Sequence, residues 1–179
     1  MGCEAAGMVP QLARVADPFG VSVISGGGFD SLTAKHDLAQ EIAKSIRPVR
    51  FLHIGDYDPS GVHVFSALDE DVRGFLKRLN PNVRVTPERV AILPAHIARF
   101  SLQTAPRKTT DNRSFQGTDD DPNATVQAEA LDPADLAALV EAALRGGWDE
   151  AAADRLQERE DAERERLQRW LARSLRRPA

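Results

Sequence analysis

Residues 49–61 read VRFLHIGDYDPSG, and the way this stretch divides decides the fold. VRFLHI, at 49–54, is a β-branched and aromatic run of strand length. GDYDPSG then gathers the turn formers Gly, Asp, Pro and Ser, and residues 62–79 form an amphipathic segment with helical spacing. A strand that ends in a turn and runs straight into a helix is one step of an α/β alternation. Repeated, it predicts an α/β fold with a mainly parallel sheet and helices on both faces.

The neighbouring segments repeat that step. Upstream, VSVISGGG at 21–28 is a β-branched run closed by three glycines, which predicts a buried strand and a tight turn. Residues 29–46 follow as a helix, with Asp30 or Ser31 as N-cap and Leu32, Leu38, Ile42 and Ile46 near one face. MVPQLARVADP, at 8–18, spaces Met8, Leu12 and Val15 for a short helix that stops at a proline. Downstream, residues 83–93 predict one more short strand, interrupted by Pro87. The pattern then decays to polar sequence, and TTDNRSFQGTDDDPNAT at 109–125 predicts a surface loop.

A helix is expected over 133–144, broken at Gly146 and Gly147, with a long charged helix over 148–175. Glu160 with Arg164 and Glu165 with Arg169 stand at i,i+4 spacing on it, and apolar residues are sparse before Leu167. That reads as an exposed helix or a partner-binding arm. The expected organisation is therefore an α/β domain over 1–145 and a charged C-terminal helix over 146–179.

Composition narrows the function classes. The 179 residues are 42% hydrophobic and 28% charged, enough for one domain with a core and an appendage. No stretch approaches the roughly 20 apolar residues of a membrane span, and the N-terminus lacks a secretory pattern, so a soluble, cytoplasmic protein with no membrane partner is expected. Cys3 is the only cysteine, and the four histidines lie far apart, which leaves carboxylates as the metal ligands available. The net charge of -4 argues against a uniformly basic DNA-holding surface. A nucleic-acid site must then be local, or must borrow charge from a metal or a partner.

Ligands of an open parallel sheet bind beyond the carboxyl ends of its strands, which is where GDYDPSG falls. Asp56 and Asp58, one residue apart on that turn, can face one hard cation, and Mg²⁺ takes one or two carboxylates while keeping room for water and phosphate. The competing reading is an ordinary turn. Glu4 opens the first helix on the same side of the sheet, where a third carboxylate can serve as general acid, general base or additional ligand.

CEAAGMVPQLARVA, SGGGFDSLTAKHDLA and HIGDYDPSG together resemble the three consecutive blocks of a Toprim domain, in the version of the type IIB topoisomerase A subunit and its bacterial and mobile-element relatives. RVAILPAHIARFSLQTAPRKTTDNR and AEALDPADLAALVEAAL extend the likeness to about residue 145. Toprim domains carry a glutamate after their first strand and an Asp-x-Asp motif after a later one, matched here by Glu4 and by Asp56 with Asp58. The resemblance implies a Toprim-like, Rossmann-like fold and Mg²⁺-dependent (or Mn²⁺-dependent) chemistry on nucleic-acid phosphodiesters, with DNA as partner and the chain acting within a larger protein or complex.

Two departures qualify the likeness. The family's first strand leads directly into the glutamate, and here only two residues precede Cys3, so that strand is expected to be absent or nearly so. The type IIB subunit also carries a winged-helix domain with a nucleophilic tyrosine. Tyr57, the only tyrosine, sits inside the acidic turn and is a poor substitute, so a reaction through a tyrosyl phosphate is not expected of this chain alone. The alternative to a nuclease is a non-catalytic interaction module that uses its C-terminal helix to bind a protein.

Secondary positions each carry two readings. Gly26, Gly27 and Gly28 end a strand before a helix, as phosphate-binding amides or as a plain turn. Lys35 reaches a phosphate or packs, and His36 shuttles a proton or packs. His53 reads as a core histidine, with His63 a nearer neighbour of a metal. Arg107, Lys108 and Arg113 form the clearest basic cluster for a phosphate backbone, opposed by Asp119, Asp120 and Asp121. Glu129 reads as a capping or surface residue, with the metal edge as the alternative.

Overall fold

The computed structural model describes residues 1–25 and 31–174, so Gly26, Gly27 and Gly28 lie outside the described residues. The chain divides into two compact units, Met1–Gly146 and Gly147–Ala179. The first is an α/β unit built on a four-stranded parallel sheet. Its strands are β1 (Gly2–Cys3), β2 (Ile24–Ser25), β3 (Val49–Ile54) and β4 (Val85–Ala91), in the order β2-β1-β3-β4. Despite its two residues, β1 is an inner strand that pairs with β2 on one side and with His53 and Ile54 of β3 on the other.

The helices are α1 (Val9–Ala16), α2 (Leu32–Ala43), α3 (Pro59–Leu79), α4 (Pro94–Arg99) and α5 (Pro133–Arg145). Alternation along β3 builds a core on each face. Phe51 joins Ala39 and Ile42 of α2 with Leu68, Val72 and Leu76 of α3. Leu52 and Ile54 join Leu12 of α1 and Leu136, Val140 and Leu144 of α5. Burial of both faces is what a parallel strand requires, and each fully buried aliphatic side chain contributes about 1.5–3 kcal/mol. A short antiparallel ladder, β5 (Ala105–Pro106) with β6 (Ala124–Thr125), closes the base of the polar loop.

Four local expectations are corrected. The strand expected to be buried at 21–28 is the edge strand β2, described at Ile24–Ser25, where both residues are exposed. Pro87 does not interrupt β4 but lies within it, paired in register with Phe51. Strand β4 is an edge strand, and the alternation that turns the Arg84 carbonyl toward Val49 N–H turns the Pro87 nitrogen away from β3. Leu32 and Ile46 do not share the buried face of α2: Ser31 caps the helix through the Ala34 N–H, leaving Leu32 in its exposed first turn, while Ile46 lies past its end and is 99% exposed.

In the second unit, α6 (Glu150–Ser174) has no buried residue. Arg164 pairs with Asp161 rather than with Glu160, whereas Arg169 does lie 3.8 Å from Glu165. Among the described residues, no helix is long and apolar enough to cross a membrane.

Candidate functional site

Strand β1 delivers Glu4 to the carboxyl edge of the sheet, where its N–H donates to the Ile54 carbonyl at 3.0 Å. Strand β3 delivers the acidic turn to the same edge. Glu4 lies beneath this turn, with Oε2 accepting from the Asp56 N–H at 3.2 Å and Oε1 lying 3.4 Å from His53 Nε2. A Cβ at Gly55 would stand 2.5 Å from the Glu4 carboxyl carbon, and one at Gly61 would stand 2.4 Å from the Asp56 carbonyl oxygen. Both glycines are therefore fixed by close approach rather than by backbone angle.

The two aspartates hold different posts. Asp58 is the N-cap of α3, accepting from the Gly61 N–H at 2.7 Å, with Pro59 at the first helical position, where a missing N–H does no harm. Asp56 accepts from the Ala128 N–H at 2.8 Å, which ties the turn to a segment 72 positions away. Each interaction occupies one carboxylate oxygen and leaves acceptor capacity on the group.

Arg89, which the sequence reading did not single out, organises the edge. It lies on β4 beside an irregularity in the pairing with β3, where Arg89 opposes His53 and Ala91 opposes Ile54. Its guanidinium donates to the carbonyls of Gly55 at 2.9 Å, Gly61 at 3.1 Å and Ile92 at 3.2 Å, and also to the Asp56 carbonyl. One side chain thus joins the end of β3, the start of α3 and the exit of β4. The available signal was an arginine directly before the apolar run Val90–Leu93, at the end of β4.

The electrostatics follow from this packing. Burial pushes the Asp56 carboxyl up; the Ala128 N–H opposes this, and the carboxylates of Glu129, Glu4 and Asp58 add to it. Burial also pushes Glu4 up, but His53, the Asp56 N–H and Arg89 outweigh it and hold Glu4 below the usual value. His53 is itself held below its usual value, chiefly by burial, with Arg89 adding to this against the pull of Glu4. We therefore take His53 as neutral and Glu4 as ionised at neutral pH. The Cys3 thiol is pushed up to about 11, first by burial and further by Glu129, Glu4 and Asp56, so it is not a reactive thiolate.

The acidic turn opens onto a cleft of about 590 Å³ whose lining includes Asp58, Ser60, Arg107, Lys108, Asp111 and Arg113. The fold thus brings the basic cluster onto the wall facing Asp58. Arg113 is paired with Asp111 at 3.1 Å, whereas Arg107 and Lys108 have no ion-pair partner among the described residues. Asp119, Asp120 and Asp121 do not line the cleft; the Asp121 carboxylate accepts from the Asn123 N–H within its own turn. Glu4 and Asp56 lie behind the lining rather than on it.

Tyr57 joins the two walls. It exchanges backbone hydrogen bonds with Val126 at 2.8 and 2.9 Å, its ring centroid lies 5.0 Å from that of Phe115, and its hydroxyl donates to the Gln116 and Gly117 carbonyls. At 7% exposure it is a staple rather than a nucleophile.

The remaining positions resolve as follows. Lys35 does not reach the cleft; its ammonium lies 2.8 Å from Asp71 of α3, and the residue is buried. His36 packs edge-on against Phe75, and His63 is exposed on α3. His53 is fully buried and stacks on Phe65 at 4.9 Å. Glu129 is exposed, on the short 3₁₀ turn Ala128–Ala130 whose first amide holds Asp56. Among the described residues, no three His, Cys, Asp or Glu side chains converge as a ready metal cage. No family model, curated protein or solved structure matches the chain.

Proposed function

We propose that the chain is a Toprim-type domain that acts on nucleic-acid phosphodiesters with Mg²⁺ held by Asp58 and Asp56. The observation that carries this reading is the shared cleft, in which Asp58 faces Arg107 and Lys108 at the carboxyl edge of a parallel sheet. The donor set fits Mg²⁺ rather than zinc, since two carboxylates with acceptor capacity left over suit a cation that keeps water and phosphate in its shell. When bound, Mg²⁺ supplies neutralisation of phosphate charge, which carries much of phosphoryl-transfer catalysis.

The chain's own residues do the rest. Arg107 and Lys108 receive the phosphate backbone, and Arg113, shared with Asp111, sets the far side of the groove. Arg89 and Tyr57 hold the acidic turn and the basic wall in register. Glu4 stands behind the pair as an ionised carboxylate at the Asp56 N–H.

Calorimetric titration of Mg²⁺ and Mn²⁺, followed by a nicking assay on supercoiled plasmid DNA, tests the reading. The wild type binds and nicks; Asp56→Asn with Asp58→Asn lowers nicking by at least about a hundredfold and abolishes binding. Unchanged metal affinity in that double variant overturns the assignment. Glu4→Gln separates the roles of Glu4: lost nicking with retained metal affinity marks proton transfer, and loss of both marks bracing or ligation.

A second reading, a non-catalytic module that binds a protein, is favoured by α6, which exposes Leu156, Leu167, Trp170 and Leu171. Absence of divalent-metal binding by the wild type would favour it over the nuclease.

A further inference from the structure

The opposite edge of the same sheet carries charge that the cleft does not explain. Residues 44–50, KSIRPVR, lead into β3, and residues 77–84, KRLNPNVR, lead into β4. Together they hold Lys44, Arg47, Arg50, Lys77, Arg78 and Arg84 and no acidic residue, in a chain whose net charge is -4. The two segments form one surface: Val49 N–H donates to the Arg84 carbonyl at 2.8 Å, and the Asn80 side chain donates to the Ala43 carbonyl at 2.9 Å.

Lys44 is paired with Glu41 and Arg50 with Glu88. Arg47, Lys77, Arg78 and Arg84 are exposed and have no acidic partner within ion-pair distance among the described residues. Complementing the C-terminal dipole of α3 accounts for Lys77 and Arg78, which occupy its last turn. It does not account for Arg47 or Arg84, which lie outside any helix.

These side chains follow a line of hollows. Arg47 and Arg84 line a groove of about 390 Å³, and Arg84 and Lys77 line a second of about 400 Å³, with Asn80, Val83 and Arg84 common to both. Adjoining grooves that share a cation suit a chain of phosphates better than a single anion. An anionic membrane is the weaker match, because surface adsorption needs a broad apolar face, and across the two segments Ile46 and Leu79 are the large apolar side chains exposed among the described residues.

We propose that this amino edge is a second nucleic-acid surface that grips the phosphate backbone through Arg47, Lys77 and Arg84, separately from the cleft. It stands on charge placement alone and does not depend on metal chemistry at Asp56 and Asp58.

Fluorescence anisotropy with a labelled DNA duplex of about 20 base pairs, without divalent metal and over a salt series, tests it. Arg47→Ala with Lys77→Ala and Arg84→Ala is expected to weaken binding at least about tenfold and to reduce the log–log salt slope by about three. Arg47→Lys with Arg84→Lys, which keeps the charge, retains the wild-type slope. The proposal is overturned if the wild type does not bind the duplex, or if the triple alanine variant binds as the wild type does. It is also overturned if the lysine variant loses as much as the alanine variant, or if Arg107→Ala with Lys108→Ala alone removes all binding. Binding to anionic-lipid vesicles with none to the duplex would assign the surface to membranes instead.

Discussion

The two edges of the sheet are built on opposite plans. At the carboxyl edge, carboxylates and cations are knotted into the fold: Asp56 and Asp58 each hold a backbone amide, and Arg89 donates to four carbonyls. At the amino edge, Arg47, Lys77 and Arg84 are exposed and unpaired among the described residues. The same strands thus end in a preorganised site on one side and in a solvated basic rim on the other. A preorganised edge favours chemistry, which needs groups held still, whereas a rim of long solvated side chains favours grip without fixed geometry.

Stability should separate the edges most strongly. Arg89→Met removes one donor from each of four carbonyls, of which Gly55 keeps the Ile92 N–H, and leaves the nearby carboxylates short of a cation; it is expected to cost about 3 kcal/mol. Arg84→Met, also next to β3 but solvated, should stay within about 0.5 kcal/mol. Urea denaturation of the two variants measures both. Equal losses would dissolve the contrast.

A smaller effect sharpens it within the carboxyl edge. Tyr57→Phe removes the hydroxyl donor to Gln116 and Gly117 and should lower stability by about 1 kcal/mol. It should also raise the apparent KM for plasmid more than it lowers kcat, since it loosens the basic wall and leaves Asp56 and Asp58 in place. A fall in kcat with unchanged KM would count against the staple.

The smallest effects concern pH and carry opposite signs at neighbouring carboxylates. Asp56 is raised above its ordinary 3.8, so its contribution to stability is complete below the unfolded pKa and is lost as pH rises through the folded one. Asp56→Asn should therefore gain in melting temperature relative to the wild type as pH climbs from 3.8. Glu4 is lowered, so its contribution is present above its unfolded value and is lost as pH falls through the folded one. Glu4→Gln should then be at its greatest disadvantage near neutral pH and close the gap in acid. Thermal melts of the three proteins without divalent metal, over a pH series, report both signs.

Local periodicity made much of this legible. VRFLHI coincides with β3 at Val49–Ile54, and the acidic turn was placed correctly because a strand followed by an amphipathic helix leaves the loop only one edge to occupy. Arg107 and Lys108 were readable as a cluster; that they face Asp58 was not, because the two are joined through Tyr57 and Val126, far apart in sequence. Lys35 was open between phosphate and packing, and Asp71, the partner that decides it, lies 36 positions away on another helix. Arg89 escaped because its partners are backbone carbonyls, which no side-chain pattern records.

Pro87 carries a consequence for self-association. Its nitrogen faces outward from the edge strand β4, so the row of donors that a foreign strand would need is broken at its middle. The other edge strand, β2, is described at Ile24–Ser25. Stacking of molecules edge to edge, the first step toward a cross-β aggregate, is therefore opposed at β4 by a single imino acid.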